Sequence, residues 1–332
     1  MATTIGPPSR KVLADCVRSA TAAPSLHNSQ PWLFRVERAS VEVYTDPRRR
    51  LEVIDPDGRE QLISIGAALF TLRLAIEQAG YETRVTLFPA AEASHLVARA
   101  TITGTAPVTA ATEALSAAIP HRHTNRWPFA HTPVPQQALE QMRDAARREG
   151  AVLTVASAPA RDRILALAMS ADRWLRARPG YRDEIARWTG GVRHDGVPLW
   201  AVGPWDALET VPIRDFAELS ELPRPTEKFE PYPTILILAT EGDGHCDWVR
   251  AGQALQRVLL TATWQNLATT PISQPVEVPA VRQVLTDPDG GLSAQMVLRV
   301  GYGRVAPSTP RRPLTDVLRS AEDKLCGPGG GR

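Results

Sequence analysis

The sequence predicts an α+β protein in which one helix-flanked, mainly antiparallel sheet unit occurs twice in a single chain. Two apolar helical stretches, Gly66 through Gly80 to Pro89 and Gly252 through Asn266 to Pro275, superpose without a gap. Gly66 falls on Gly252, Ala68 on Ala254, Leu69 on Leu255, Leu74 on Leu260 and Thr83 on Thr269. Where the first copy has Gly80 the second has Asn266, and these two residue types best tolerate the left-handed backbone that closes a helix. A strand-like stretch with an arginine in the same place follows each helix, as Leu96-Val97-Ala98-Arg99-Ala100 and Met296-Val297-Leu298-Arg299-Val300.

The elements follow in order. In the first unit, residues 1–110, an amphipathic helix over 10–21 leads to a polar loop and strands at 32–36 and 41–44. The turn Asp55-Pro56-Asp57-Gly58 precedes the long helix at 60–78, which Gly80 stops. The second unit, residues 111–326, begins with a helix at 112–119. The loop 121–128, a helix at 135–149 and a strand at 151–155 come next. Between about 160 and 233 it carries an insertion with no counterpart in the first unit, helical at 164–177 and 183–188 and then rich in Gly, Pro and Trp. The insertion holds Trp174, Trp188, Trp200 and Trp205, which argue for an ordered, lid-like segment. A strand at 234–239 returns the chain to the core, a last helix is expected at 314–324, and the glycine-rich tail 327–332 reads as disordered.

Composition narrows the function. A chain of 332 residues with 43% hydrophobic and 22% charged residues has a sizeable core, and the net charge of +2 leaves no basic stripe for nucleic acid. No apolar run reaches membrane-spanning length and the N-terminus lacks signal-peptide regions, so a cytoplasmic address is expected. Cys16, Cys246 and Cys326 are odd in number and far apart, which predicts reduced thiols. Neither the His121/His123 pair nor His245-Cys246 with Asp243 and Asp247 has zinc spacing, and Asp247 reads as a helix N-cap. No metal is expected. Gly301-Tyr302-Gly303 lacks the third glycine and the following helix of a dinucleotide loop.

The run Ala23-Pro24-Ser25-Leu26-His27-Asn28-Ser29-Gln30-Pro31-Trp32 sets hydroxyl and amide side chains between two prolines. Such a loop can read a flat heterocycle or simply turn the chain rigidly into the next strand. It resembles the APSxxNxQPW flavin loop of the FMN-dependent nitroreductase family, which implies flavin contacts from Pro24, Ser25, Asn28 and Gln30. Arg122-His123-Thr124-Asn125-Arg126 is similar to that family's R-x-S/T-x-R/K element for the FMN phosphate, ribityl chain and pyrimidine edge. The likeness carries Arg122, His123, Thr124 and Arg126 over as contacts. Thr309-Pro310-Arg311-Arg312-Pro313-Leu314 resembles the family's K-x-R-x-P-L element, with Thr309 in place of the Lys, so the phosphate falls to Arg311 first and Arg312 second. The segment Pro271-Ile272-Ser273-Gln274 aligns with the loop whose backbone N–H meets the flavin N5. The family usually has Gly where Gln274 stands, and its larger side chain threatens to crowd that face.

The first copy has the polar loop but no R-x-S/T-x-R element before its helix, the second has that element but no polar loop, and the chain resembles a nitroreductase homodimer fused into one polypeptide, of the Acg-like subgroup. That implies an intramolecular pseudo-dimer with one FMN per chain and no partner copy needed to complete the site. The implied reaction is hydride transfer from NAD(P)H via FMN to a nitro or quinone-like small-molecule acceptor, with the chemistry carried by the cofactor and no catalytic side chain. The alternative is an FMN-sequestering or sensing protein, with residues 194–198 and 203–204 of the insertion closed over the flavin.

Overall fold

The computed structural model describes residues 6–90, 95–190, 193–218, 223–286 and 291–320. Helix α1 (Arg10–Ala20) starts at Ser9, whose hydroxyl accepts from the Val12 N–H, and it buries Leu13, Cys16, Val17 and Ala20. Strands β1 (Trp32–Glu37) and β2 (Ser40–Thr45) follow, then the long helix α2 (Arg59–Gln78) and strands β3 (Tyr81–Leu87) and β4 (Leu96–Thr105). The second unit begins with α3 (Ala110–Ala118), α4 (Gln136–Arg148) and β5 (Val152–Val155). The insertion contributes α5 (Ala158–Ala177), α6 (Tyr181–Arg187) and a two-stranded ribbon, β6 (Trp205–Asp206) with β7 (Thr226–Glu227). The chain returns through β8 (Thr234–Thr240), α7 (His245–Trp264), β9 (Ala268–Ile272), α8 (Gln274–Glu277), α9 (Pro279–Leu285) and β10 (Ser293–Gly301). It closes with α10 (Leu314–Val317) and β11 (Leu318–Arg319).

The two main sheets have one plan. The first runs β11-β1-β2-β4-β3 and the second β5-β8-β10-β9, so apart from β11 each strand has a counterpart in the same place. All pairings within that shared plan are antiparallel. Helices α2 and α7 lie against each other between the sheets, and the repeat offset is visible in their contact. A Cβ on Gly66 would overlap the Val249 carbonyl oxygen, and one on Gly252 would overlap that of Ile63. Each would lie 2.9 Å from the other glycine's Cα. Gly80 and Asn266, paired by the same offset, both have left-handed backbones, at φ 86° and 57°.

Three sequence readings need correction. Strand β3 was not foreseen, because Tyr-Glu-Thr-Arg-Val-Thr-Leu alternates too many polar residues on an edge strand. The final helix is a single turn, after which Leu318 and Arg319 pair in parallel with Phe34 and Arg35. Burial of Val317 in the first unit's core and the open edge of β1 outweigh helix propensity there, while 321–324, the tail and Cys326 fall outside the described residues. Asp247 is the third residue of α7, not its cap, and it accepts a hydrogen bond from the Gly244 N–H at 3.1 Å.

Of the insertion's four tryptophans one is packed into the core that orders it. Only Trp188 is buried, whereas Trp174, Trp200 and Trp205 are exposed. Leu175, Tyr181, Ile185, Val197 and Phe216 form that core with Trp188 and with Leu51 and Ile54 of the first unit. The Glu184 carboxylate ties the two together by accepting from the Val53 and Ile54 N–H groups at 3.1 and 2.8 Å. Cys16 and Cys246 are free thiols, with burial pushing Cys16 up to about 11. Among the described residues no helix is long and apolar enough to cross a membrane, and no three His, Cys, Asp or Glu side chains are grouped to hold a metal ion.

Candidate functional site

The polar loop before β1 is built under local strain. His27, Asn28 and Gln30 all have positive φ, at 50°, 54° and 49°, a region that non-glycine residues rarely occupy. The Ser25 hydroxyl holds the turn by accepting from the Gln30 N–H at 2.9 Å. The Asn28 amide donates to the carbonyls of Gly196, at 2.9 Å, and Pro310, at 3.1 Å. Its Oδ1 accepts from Arg311 at 3.0 Å. The Gln30 side chain, fully buried, donates to the His194 carbonyl at 2.8 Å and accepts from the Arg312 N–H at 2.8 Å. Both amides predicted to face a ligand are therefore engaged with the insertion and the C-terminal segment.

The two arginine-bearing segments converge on this loop. Arg122 and Arg311 each donate to the Ala22 carbonyl oxygen at 3.3 Å, and both Nε atoms are buried without a partner. Thr309, which stands where the resemblance calls for Lys, orients Arg311 by accepting from it at 2.7 Å. No carboxylate pairs with either guanidinium among the described residues. Burial, with Arg311 nearby, lowers Arg122 to about 9, and burial lowers Arg311 to about 10. His123 beside them is pushed down to about 4, first by burial and then by the two cations, which keeps it neutral. Two buried like charges with spare donors form a cradle for an anion.

Arg312, second in the phosphate assignment, also has a buried Nε without a partner, but its other nitrogens are engaged. Its guanidinium donates to the carbonyls of Gln30, Trp32 and Asp316 and pairs with Asp46. It staples the segment ahead of α10 to β1.

A cavity, open in part to solvent, lies between the two units. Of the predicted residues, Pro24, Ser25, Thr124, Arg126, Pro271, Ser273 and Gln274 line it. Asn28, Gln30, Arg122, His123, Ile272, Arg311 and Arg312 do not, and Ile272 is 1% exposed in the apolar core beneath. Thr124 reaches the cavity because its loop adds to the edge of β9, where the Asn125 N–H donates to the Thr269 carbonyl at 2.9 Å. The same edge position tolerates Pro271 within a strand. Gln274 is 2% exposed, and its amide donates to the Pro212 carbonyl at 3.1 Å, drawing the side chain toward the insertion. Arg126 donates to the Ala201 carbonyl at 2.9 Å and lies 4.9 Å from the centre of the Phe216 ring.

The insertion covers one side of this arrangement. Besides the bonds from Asn28, Gln30 and Arg126, Asp195 pairs with Arg49 at 2.8 Å. Gly203 has φ 83°, and a Cβ there would meet the Arg126 backbone. Residues 194–198 and 203–204 thus lie against the polar loop and the arginine segment.

Sequence reasoning missed His27, Glu60, Ser64, Arg214 and Phe216, all of which line the cavity. His27 stands inside the polar motif and was the one legible signal. Glu60 looked like an ordinary first-turn helix residue, and the insertion offered no pattern to read. Glu60 is 3% exposed and pairs with Arg59, yet burial raises its carboxyl to about 7, with Glu277 and Asp55 adding to the rise. The folded state consequently retains a proton that the unfolded chain releases near its ordinary value of 4.5. The associated stability is complete below that value and is lost as the pH rises through about 7. Glu60→Gln should remove this slope, making the variant more stable than the parent at pH near 8 by about 1–3 kcal/mol. Melting temperatures of both proteins across about pH 5–8 check this; parallel curves would contradict it.

Residues 119–302 match the nitroreductase family, and the chain belongs to that family. A Mycobacterium tuberculosis H37Rv protein provisionally named NAD(P)H nitroreductase Rv3131 is 35% identical over 330 residues, covering 96% of this chain and 94% of its own. The acg protein of the same organism, with the same provisional activity in its name, is 29% identical over 314 residues, 92% of this chain and 95% of its own. Among solved structures, the FMN-dependent nitroreductase NfnB of Mycobacterium smegmatis, determined with NADPH, is 17% identical. It aligns over 63% of this chain and 99% of its own with a TM-score of 0.36.

Proposed function

We propose that this chain is an FMN-binding oxidoreductase that takes electrons from NAD(P)H and passes them to a nitro or quinone-like small molecule. The observation that carries the reading is the pair of buried guanidiniums, Arg122 and Arg311, which share the Ala22 carbonyl and leave both Nε atoms without a partner. An FMN phosphate fits that cradle in charge and hydrogen-bonding capacity. Ala22 is two residues from Pro24, and Arg122 two from Thr124, so short lengths of chain join the cradle to two residues that line the cavity. In this reading Arg122 and Arg311 hold the phosphate and Thr124 adds a hydroxyl. Arg126, Ser25 and the 271–274 segment border the ring, and Asn28 orients Arg311. FMN, when bound, supplies the redox chemistry, and the side chains anchor it and limit access of water. One FMN per chain is the expected stoichiometry, because the cavity draws on both units, residues 1–110 and 111–326. A monomer is then sufficient, and no nucleic acid is involved. A cytoplasmic setting, where reduced nicotinamides are at hand, completes the reading.

A second reading, flavin sequestration or sensing, is favoured by the bonds that fasten the insertion to Asn28, Gln30 and Arg126. The purified protein decides between them: its yellow flavin absorbance should bleach within seconds when NADPH is added without oxygen. Bound flavin that stays oxidised supports sequestration, and colourless protein that cannot be loaded with FMN rejects both.

A further inference from the structure

His27 has an environment that the folded chain alone does not explain. It is 5% exposed, neither ring nitrogen has a hydrogen-bond partner, and its backbone is left-handed at φ 50°. Buried polar groups are nearly always satisfied, so an imidazole orphaned at both ends and set on the wall of a cavity points to a ligand. Burial and the cations Arg214 and Arg126 hold its pKa well below the usual histidine value. The neutral ring presents one donor and one acceptor.

Its neighbours define what that ligand meets. The imidazole stands edge-on to Phe216 of the insertion, with ring centres 5.0 Å apart and planes at 89°. Arg214 is neutralised by Glu277 at 2.5 Å, whereas Arg126 has, among the described residues, a carbonyl and the Phe216 ring as its partners. This wall combines an aromatic edge, a neutral hydrogen-bonding group and one uncompensated cation. It therefore suits a planar molecule with electron-rich oxygens. His27, Arg214 and Phe216 line the cavity whereas Arg122 and Arg311 do not, so this wall is distinct from the anion cradle.

We propose that His27 is a specificity-determining residue, whose imidazole N–H donates to a carbonyl or nitro oxygen of a planar electron acceptor lying against Phe216. The proposal rests on the oxidoreductase reading and adds to it the residue that selects the acceptor.

The test is equilibrium binding of 1,4-naphthoquinone to the FMN-loaded, oxidised protein, followed by tryptophan fluorescence with no reductant present. The parent should bind saturably, His27→Leu at least about fivefold more weakly, and His27→Gln within about twofold of the parent. FMN affinity should be the same within about twofold in all three. The His27→Leu apoprotein should melt above the parent, since an unpaired buried ring has been replaced by an apolar side chain. Equal quinone affinity in all three proteins, or no quinone binding by the parent, overturns the proposal. So does an FMN affinity that falls while quinone binding is unchanged, since His27 would then touch the flavin. An apoprotein destabilised by both substitutions would mark the residue as structural and overturn it too. Failure of the parent to load FMN would reject the oxidoreductase reading and this subsite with it, whereas normal loading with unaltered quinone binding rejects the subsite alone.

Discussion

Replacing Arg122 with Ala should lower FMN affinity on the order of 100-fold, while Arg48→Ala leaves it unchanged. Both residues are cations, but their settings are opposite. Arg48 is exposed and paired at 3.0 Å with Asp46, which is buried but keeps Arg49 and Arg312 as partners, so removing Arg48 leaves that carboxylate compensated and lies away from the cradle. Arg122 is 4% exposed and faces a second guanidinium rather than an acid. An incoming phosphate would relieve that repulsion and gain charge-assisted bonds in a poorly solvated place, where they are strongest. The same logic sets the sign for the empty protein: without its anion, the Arg122→Ala apoprotein should be at least as heat-stable as the parent. Arg311→Ala should behave alike, and Arg312→Ala should instead destabilise the fold, because its partners are the carbonyls of Gln30, Trp32 and Asp316. Flavin fluorescence titrations and melting curves for the four variants measure both quantities. Equal FMN affinity in the Arg122 and Arg48 variants would remove the cradle from the argument.

The second large effect is expected where α2 and α7 cross. Gly66→Ala and Gly252→Ala should each lower stability by about 2 kcal/mol or more, after the roughly 1 kcal/mol that alanine gains in a helix interior is subtracted. The added methyl would overlap a backbone carbonyl in each case, Val249 for one and Ile63 for the other, and backbone cannot swing aside as a side chain can. Separating the helices would disturb interlocked bonds such as that from the Gln256 amide to the Thr71 hydroxyl at 3.0 Å. Gly104 is the natural control, because a Cβ there has its nearest neighbour 3.9 Å away. Melting temperatures should fall for the two helix variants by on the order of 5 °C and move little for Gly104→Ala. A helix variant that melts with the parent would show that the close approach is not needed.

The repeat was legible because its markers are backbone requirements. Gly66 and Gly252 lie where two helices touch, and Gly80 and Asn266 lie where a helix ends in left-handed conformation, so few residue types serve at any of these positions. Strand β3 was missed because an edge strand is half solvated and its polar alternation blends with loop sequence. In the site, the arginines at 122 and 311 could be read from their motifs. The roles of Asn28 and Gln30 could not, because their partners are carbonyl groups of residues 194, 196 and 310, and carbonyl groups carry no sequence signature. Glu60 and Arg214 escaped for a related reason: their character comes from burial and from neighbours far along the chain. Gln274 lines the cavity as expected from its position, but the sequence could not show that its amide bonds to the Pro212 carbonyl of the insertion.

Strand β11 has a bearing on how the molecule comes into being. It is made long after the rest of its sheet, since Leu318 and Arg319 complete an edge whose other strands all lie before residue 106. During synthesis β1 therefore stays unpaired along one side until β11 has been made, and Arg311, a few residues ahead of β11, reaches Ala22 only after the whole second unit up to that point has been made. A nascent chain can gather its helices early but cannot assemble the two-arginine cradle. On the proposed reading, phosphate binding is thereby deferred until residue 311 has been made, and a chain that stops short of β11 would have an open sheet edge along β1.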